Sequence, residues 1–146
     1  MGIFRSIDIS TTALTAEKTR IDIIAKNMAN ANTTRTTGGT PYRRQMVVFE
    51  ENKLNPFSKY LDKHLNRING KGVKISRIVE DESPFKLVYE PGHPDADENG
   101  YVRMPNVDIM KEMVGLISAQ RSYDANITAI NTSKSMLMKA LEIGRR

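Results

Sequence analysis

From Ile109 the chain steps alternately four and three residues through Met113, Leu116, Gln120, Tyr123, Ile127, Ile130, Lys134, Leu137 and Leu141, and eight of these ten positions are apolar. That spacing predicts one long helix within Asn106–Gly144, with a coiled-coil seam along one side. At 1.5 Å per residue, Ile109 to Leu141 extends about 48 Å, more than the diameter of a compact domain of this length. The helix therefore needs a partner along its length. Gln120 and Lys134 interrupt the seam, and polar residues in such places cost stability while fixing register and strand number.

The same stepping recurs at the other end, through Ile3, Ile7, Ser10, Leu14, Glu17, Ile21, Ile24, Met28 and Ala31, with seven of nine positions apolar. Asp8 or Ser10 is the expected cap, with Met1 to Ile7 as an added turn. Asn30, Asn32, Gly38-Gly39 and Pro41 end the helix. Two matching seams predict antiparallel pairing of Ile3–Ala31 with Gln120–Leu141.

Between the helices the period changes from helical to alternating. Arg43–Glu50 contains the β-prone run Met46-Val47-Val48-Phe49; Val73, Ile75 and Val79 alternate with polar residues; Phe85–Tyr89 and Tyr101–Met104 are two further short strands. Phe57, Tyr60, Leu61, His64, Leu65 and Ile68 have helical spacing, which places a short helix near 56–68. Asn106 or Asp108 is the expected cap of the last helix. The predicted fold class is α+β: long N- and C-terminal helices in an antiparallel coiled-coil-like pair, with a small β-rich insert. Residues 1–34 and 106–146 would form the assembly domain and 35–105 the insert.

Composition narrows the function. The 146 residues are 39% hydrophobic and 27% charged with a net charge of +5 and no cysteine. A disulfide framework and thiolate metal sites are excluded. Basic residues are scattered and interrupted by acids, as at Glu80-Asp81-Glu82, so no nucleic-acid tract is expected. No apolar run is long enough to span a membrane, and the first residues lack a signal-peptide core, so the expected location is the cytoplasm or beyond it by another export route.

Certain motifs invite chemistry and fall short of it. Asp95-x-Asp97-x-Asn99-Gly100 copies half of an EF-hand loop, but Asn106 stands where the bidentate Glu is needed; a polar Asn-Gly turn is the expectation. His64 and His93 have no second ligand at metal spacing. No Cys nucleophile, Gly-x-Ser-x-Gly elbow or phosphate loop is present, so neither catalysis nor a cofactor nor a small-molecule substrate is expected. Arg43, Arg44, Lys71, Lys74 and Arg77 beside Tyr42 make a minimal basic face, better read as solvated strand faces or intersubunit ion pairs. Met104, Met110, Met113, Met136 and Met138 suit adaptable packing.

Ser10-x-x-Ala13-Leu14-x-Ala16-x-x-x-Arg20 with Ala25-x-Asn27-Met28-Ala29-Asn30-Ala31 resembles the N-terminal signature of bacterial flagellar rod, hook and related axial proteins. Leu87-Val88-Tyr89-Glu90-Pro91-Gly92-His93-Pro94-Asp95-Ala96-Asp97, then Asn99-Gly100-Tyr101-Val102 and Met104-Pro105-Asn106-Val107-Asp108, resembles more narrowly the proximal-rod members of that family. Glu112-Met113, Ala119-x-Arg121-Ser122-Tyr123-x-Ala125-Asn126, Asn131, Lys134-Ser135-Met136 and Ala140-Leu141 fit too. The match covers both ends and the second half of the insert; Asn52–Gly70 falls outside it.

The resemblance implies a structural subunit of the basal-body rod. It would polymerise with copies of itself and other rod proteins into the drive shaft for motility, and be exported through the flagellar type III apparatus without a cleaved signal, with no membrane insertion. The assembly residues would be Ile7, Leu14, Ile21, Ile24, Met28, Ile109, Met113, Leu116, Tyr123, Ile127, Ile130, Leu137 and Leu141. Asn27, Asn30, Tyr89, Pro91, Gly92, Gly100, Tyr101, Pro105 and Asn106 carry the family motif. The alternatives are another short flagellar rod subunit or a basic nucleic-acid-binding coiled-coil protein.

Overall fold

The computed structural model describes residues 2–52 and 72–144. In chain order these form α1 (Gly2–Ala29), β1 (Gln45–Glu51), β2 (Val73–Glu80), β3 (Lys86–Tyr89), β4 (Tyr101–Met104) and α2 (Ile109–Gly144). The fold is α+β: two long helices with a small β insert between them, β1 paired with β2 and β3 with β4. The expected short helix near 56–68, with His64, and the basic residue Lys71 lie outside the described residues.

Helix α1 begins well before the expected caps, so Asp8 and Ser10 are interior residues. The reason is tertiary. The Ser6 hydroxyl lies 3.3 Å from that of Ser133 on α2, and contact with a partner helix stabilises a first turn more than a cap does. The helix also absorbs its Thr residues, whose hydroxyls bond carbonyls a turn back: Thr11 to Ile7 at 2.8 Å and Thr15 to Thr11 at 3.1 Å. At the far end Asn30 closes the helix, its side-chain amide donating to the Lys26 carbonyl at 2.9 Å.

Of the two caps expected for α2, Asp108 is the one in use. Its Oδ1 accepts from the backbone N–H groups of Met110 at 3.1 Å and Lys111 at 3.4 Å, satisfying donors that a helix start leaves without partners. Asn106 is thereby left for another task, described below.

The chain divides into two compact units, each holding a piece of both helices and of the insert. The first unit is Met1–Lys18, Phe49–Ser76 and Gln120–Arg146. Here Thr12 anchors the start of β2: its hydroxyl donates to the Ile9 carbonyl at 2.7 Å and accepts from the Val73 N–H at 3.2 Å. Gly72, at φ +78°, lies so close that a Cβ would overlap the Thr12 hydroxyl, so only glycine fits. Among the described residues of this unit, Ala16 and Ser133 are buried.

The second unit, Thr19–Val48 and Arg77–Ala119, contains most of the buried side chains among the described residues: Ile23, Ile24, Asn27, Pro41, Tyr42, Val102, Pro105, Val107, Glu112 and Ala119. Its β3–β4 ribbon is antiparallel, with Lys86 opposite Met104, Leu87 opposite Arg103, Val88 opposite Val102 and Tyr89 opposite Tyr101. Residues alternate between faces. Val102 is 0% exposed on the inner face, and Lys86 reaches from that face to the Val107 carbonyl at 2.7 Å. Leu87, Tyr89, Tyr101 and Arg103 make up the outer face and are exposed.

Candidate assembly interface and its polar anchor

The second unit is built around Asn27, which is only 1% exposed. A side-chain amide has two donors and can accept at its oxygen, and here every capacity is used. The Asn27 Nδ2 donates to the Gln45 carbonyl at 2.8 Å and to Glu112 Oε2 at 3.1 Å; its Oδ1 accepts from the Gln45 N–H and the Tyr42 hydroxyl, both at 2.9 Å. Asn27 thus pairs with the main chain of Gln45 as a neighbouring strand would. It ties α1 to β1 and to α2 together.

Glu112 is the charged member of this buried cluster, 2% exposed and opposite the cation Arg44, whose Nε donates to Oε1 at 2.6 Å. A carboxylate removed from water needs such a partner and further hydrogen bonds, and Asn27 provides one. Arg44 continues outward, with Nη1 3.6 Å from Asp81 Oδ2. Its backbone N–H donates to Asn106 Oδ1 at 2.8 Å, and Asn106 Nδ2 donates to the Asp81 carbonyl at 2.9 Å and to the Ser83 hydroxyl at 3.0 Å. Asn106 is therefore a bracket between the ends of β1 and β2 rather than a helix cap.

Two ionisable groups respond to this setting. Burial pushes the Tyr42 hydroxyl above its ordinary range, with the charges of Glu80 and Glu112 acting in the same sense. Asp81 is held below the usual carboxylate range by the Ser83 N–H and hydroxyl and by Arg44. Arg43 and Lys74 likewise have partners within the chain. Arg43 stacks 4.5 Å over Phe85 and donates to the Asp81 carbonyl at 3.2 Å, and Lys74 lies 3.7 Å from Glu50. Where solvated strand faces or intersubunit ion pairs were expected, Arg43, Arg44 and Lys74 have contacts within the chain.

The carboxylates of the EF-hand-like stretch face the chain's own donors. Asp97 Oδ1 accepts from the N–H groups of Asn99 at 3.0 Å and Tyr101 at 2.9 Å, while Asp95 Oδ2 accepts from Thr34 at 2.8 Å. This is the expected Asn-Gly turn, with Gly100 at φ +78°. His93 Nδ1 accepts from the Asp95 N–H at 3.0 Å.

The helix seams differ from the expectation in detail. In the second unit Ile24 meets Gly115, 3.5 Å from where a Cβ would stand, and Asn27 meets Glu112; in the first unit Ser6 meets Ser133. Each pair of residue numbers adds to 139. The last turns of α1 therefore face Glu112 and Gly115, where Gln120 was expected. The buried or half-buried face of α2 runs Glu112, Leu116, Ala119, Tyr123, Asn126, Ile130, Ser133 and Leu137.

Only half of the expected α2 seam lies on that face: Leu116, Tyr123, Ile130 and Leu137. Ile109, Met113, Ile127 and Leu141 are exposed, Leu141 by 68%. Small and polar residues take the alternate positions, and a count of apolar spacing passes over them. On α1, Ile24 is buried and Ile7, Leu14, Ile21 and Met28 are half-buried, while Ala16 and Ile23, one position off the stepping, are buried as well. Of the motif residues, Asn27 and Pro105 are buried, Asn30, Gly100 and Asn106 half-buried, and Tyr89, Pro91, Gly92 and Tyr101 exposed.

Outside the buried row, α2 stays apolar. Met110, Val114 and Ile117 in the second unit, and Met136, Met138, Leu141 and Ile143 in the first, are exposed. A helix apolar on opposite sides calls for cover on both.

Residues 7–35 match the model described as flagella basal body rod protein, and residues 98–143 match the flagellar basal body rod FlgEFG protein C-terminal model. The flagellar basal-body rod protein FlgC of Bacillus subtilis is 50% identical, over 99% of this chain and 100% of its own. That of Borreliella burgdorferi is 48% identical over 98% of each, and that of Salmonella typhimurium 44% identical over 99% of this chain and 100% of its own.

The chain belongs to the flagellar basal-body rod protein FlgC family.

As a FlgC family member it is a structural subunit of the flagellar basal-body rod, and its role is in motility. The two family models cover most of α1 with its following turn, and β4 with nearly all of α2. Among the described residues no helix is long and apolar enough to cross a membrane.

Proposed function

We propose that this subunit belongs to the proximal rod and polymerises through its terminal helices, with copies of itself and with other rod proteins, into the drive shaft that transmits torque. The observation that carries this reading is the exposed apolar side of α2, where Met110, Val114 and Ile117 lie on the helix that also buries Glu112 and Ala119. Covering such a side against neighbours is favourable by about 25 cal/mol per Å² of apolar surface. Methionines adapt to non-identical neighbours, which suits a rod of several proteins. Close-packed helices resist deformation, and torque transmission requires that.

Passage through the flagellar type III apparatus without a cleaved signal completes the reading. In the first unit Phe4, Ile9, Met136, Met138 and Leu141 are exposed, so burial against neighbours can add to the order of these helices as the subunit joins them. Replacing Ile117 by Asp tests the assembly surface. The isolated subunit should keep its helical circular dichroism, because Ile117 is exposed, while swimming and rod formation are lost. Normal swimming of that strain would exclude this side of α2 as an assembly surface.

A further inference from the structure

We propose that Asn27 and Glu112 select the register of the antiparallel helix pair. The buried face of α2 is made of two rows at heptad spacing. One row is Leu116, Tyr123, Ile130 and Leu137; the other is Glu112, Ala119, Asn126 and Ser133. A slide of α2 by seven residues carries the first row onto itself, with one apolar or aromatic side chain replacing another. Apolar burial alone therefore discriminates weakly between the two registers.

The second row is not interchangeable. Sliding by seven puts Ala119 where Glu112 now meets Asn27, and an alanine cannot accept the hydrogen bond from Asn27 Nδ2. Asn27 cannot follow the slide, because Gln45 holds both ends of its amide, at 2.8 and 2.9 Å. Glu112, for its part, would leave the Arg44 Nε now 2.6 Å away, and the ion pair would be lost together with the Asn27 hydrogen bond. A buried polar pair that fixes register at some cost in stability is a known device of helix pairs. Gln120 and Lys134, the polar residues of the expected seam, are exposed and cannot serve it.

The chain has no cysteine, so paired cysteines report register directly. Ile24→Cys with Gly115→Cys marks the native register; Ile24→Cys with Ser122→Cys marks one displaced by a heptad. Disulfide yield is measured under mild oxidation in the full chain, with Asn27 and Glu112 intact and with both replaced by Leu. With the pair intact, the 24–115 disulfide should exceed 24–122 by at least about tenfold. In the double-Leu chain that preference should fall to about threefold or less, with helical circular dichroism retained. A pair that merely adds stability would lower the melting temperature and leave the ratio unmoved. An unchanged ratio would overturn the proposal. Loss of helicity in the double-Leu chain would also overturn it, since the pair would then be required for folding rather than for choosing among registers.

Discussion

Asn27 Nδ2 and Glu112 Oε2, 85 positions apart in the chain, lie 3.1 Å from each other. The contact joins α1 to α2, and the same two side chains reach Gln45 and Arg44 at the start of β1. Removing one partner of this cluster has a different effect from removing two. Arg44→Met leaves the Glu112 carboxylate buried with Asn27 as a neutral donor, and should cost about 3 kcal/mol, the low end for a broken buried ion pair. Combining Arg44→Met with Glu112→Leu removes the stranded charge and should recover part of that loss. Urea unfolding of the two variants should place the double above the single.

The pH dependence follows from Tyr42 and Asp81. Asp81 is lowered in the folded chain, first by the Ser83 backbone hydrogen bond, so its contribution is present above the unfolded value near about 4 and lost as the pH falls through the folded one. Tyr42 is raised, mainly by burial, so the folded chain holds that proton more tightly and the contribution is lost as the pH rises beyond about 10. Thermal unfolding across pH should show both limbs. Asp81→Asn should flatten the acid one and Tyr42→Phe the alkaline one.

Gly100 predicts a local effect. Its φ of +78° is unfavourable for an L residue, and a Cβ would stand 2.9 Å from the Tyr89 ring and 3.2 Å from Pro91. Gly100→Ala should cost about 1–2 kcal/mol from the backbone conformation alone. It should also displace Tyr89 from its edge contact with Tyr101, where the ring centroids are 5.3 Å apart. A reduced near-ultraviolet tyrosine signal alongside a lower urea midpoint is the expected result.

Helical and alternating periods made the order of helices and strands legible, because burial of one face imposes those periods directly. Asp108 as a cap and the Asn-Gly turn were legible from local chemistry. Ser6, Ala119 and Ser133 were not, since small and polar residues in a helix interface carry no hydropathy signal. Glu112 was missed for the opposite reason: a charge near a helix start has a sufficient local explanation in the helix dipole, and its buried role depends on Arg44, remote in sequence. The Asn27 motif pointed to the right residue without its task, which needs the main chain of Gln45 to be seen.

Neighbouring subunits should cover the outer side of α2 in the assembled rod. A density map of purified basal bodies that resolves the side chains of this subunit tests it most directly. Met110, Val114, Ile117 and Leu141, exposed in the isolated chain, should each be packed against another subunit. Finding those four side chains facing solvent in the assembled rod would contradict the account.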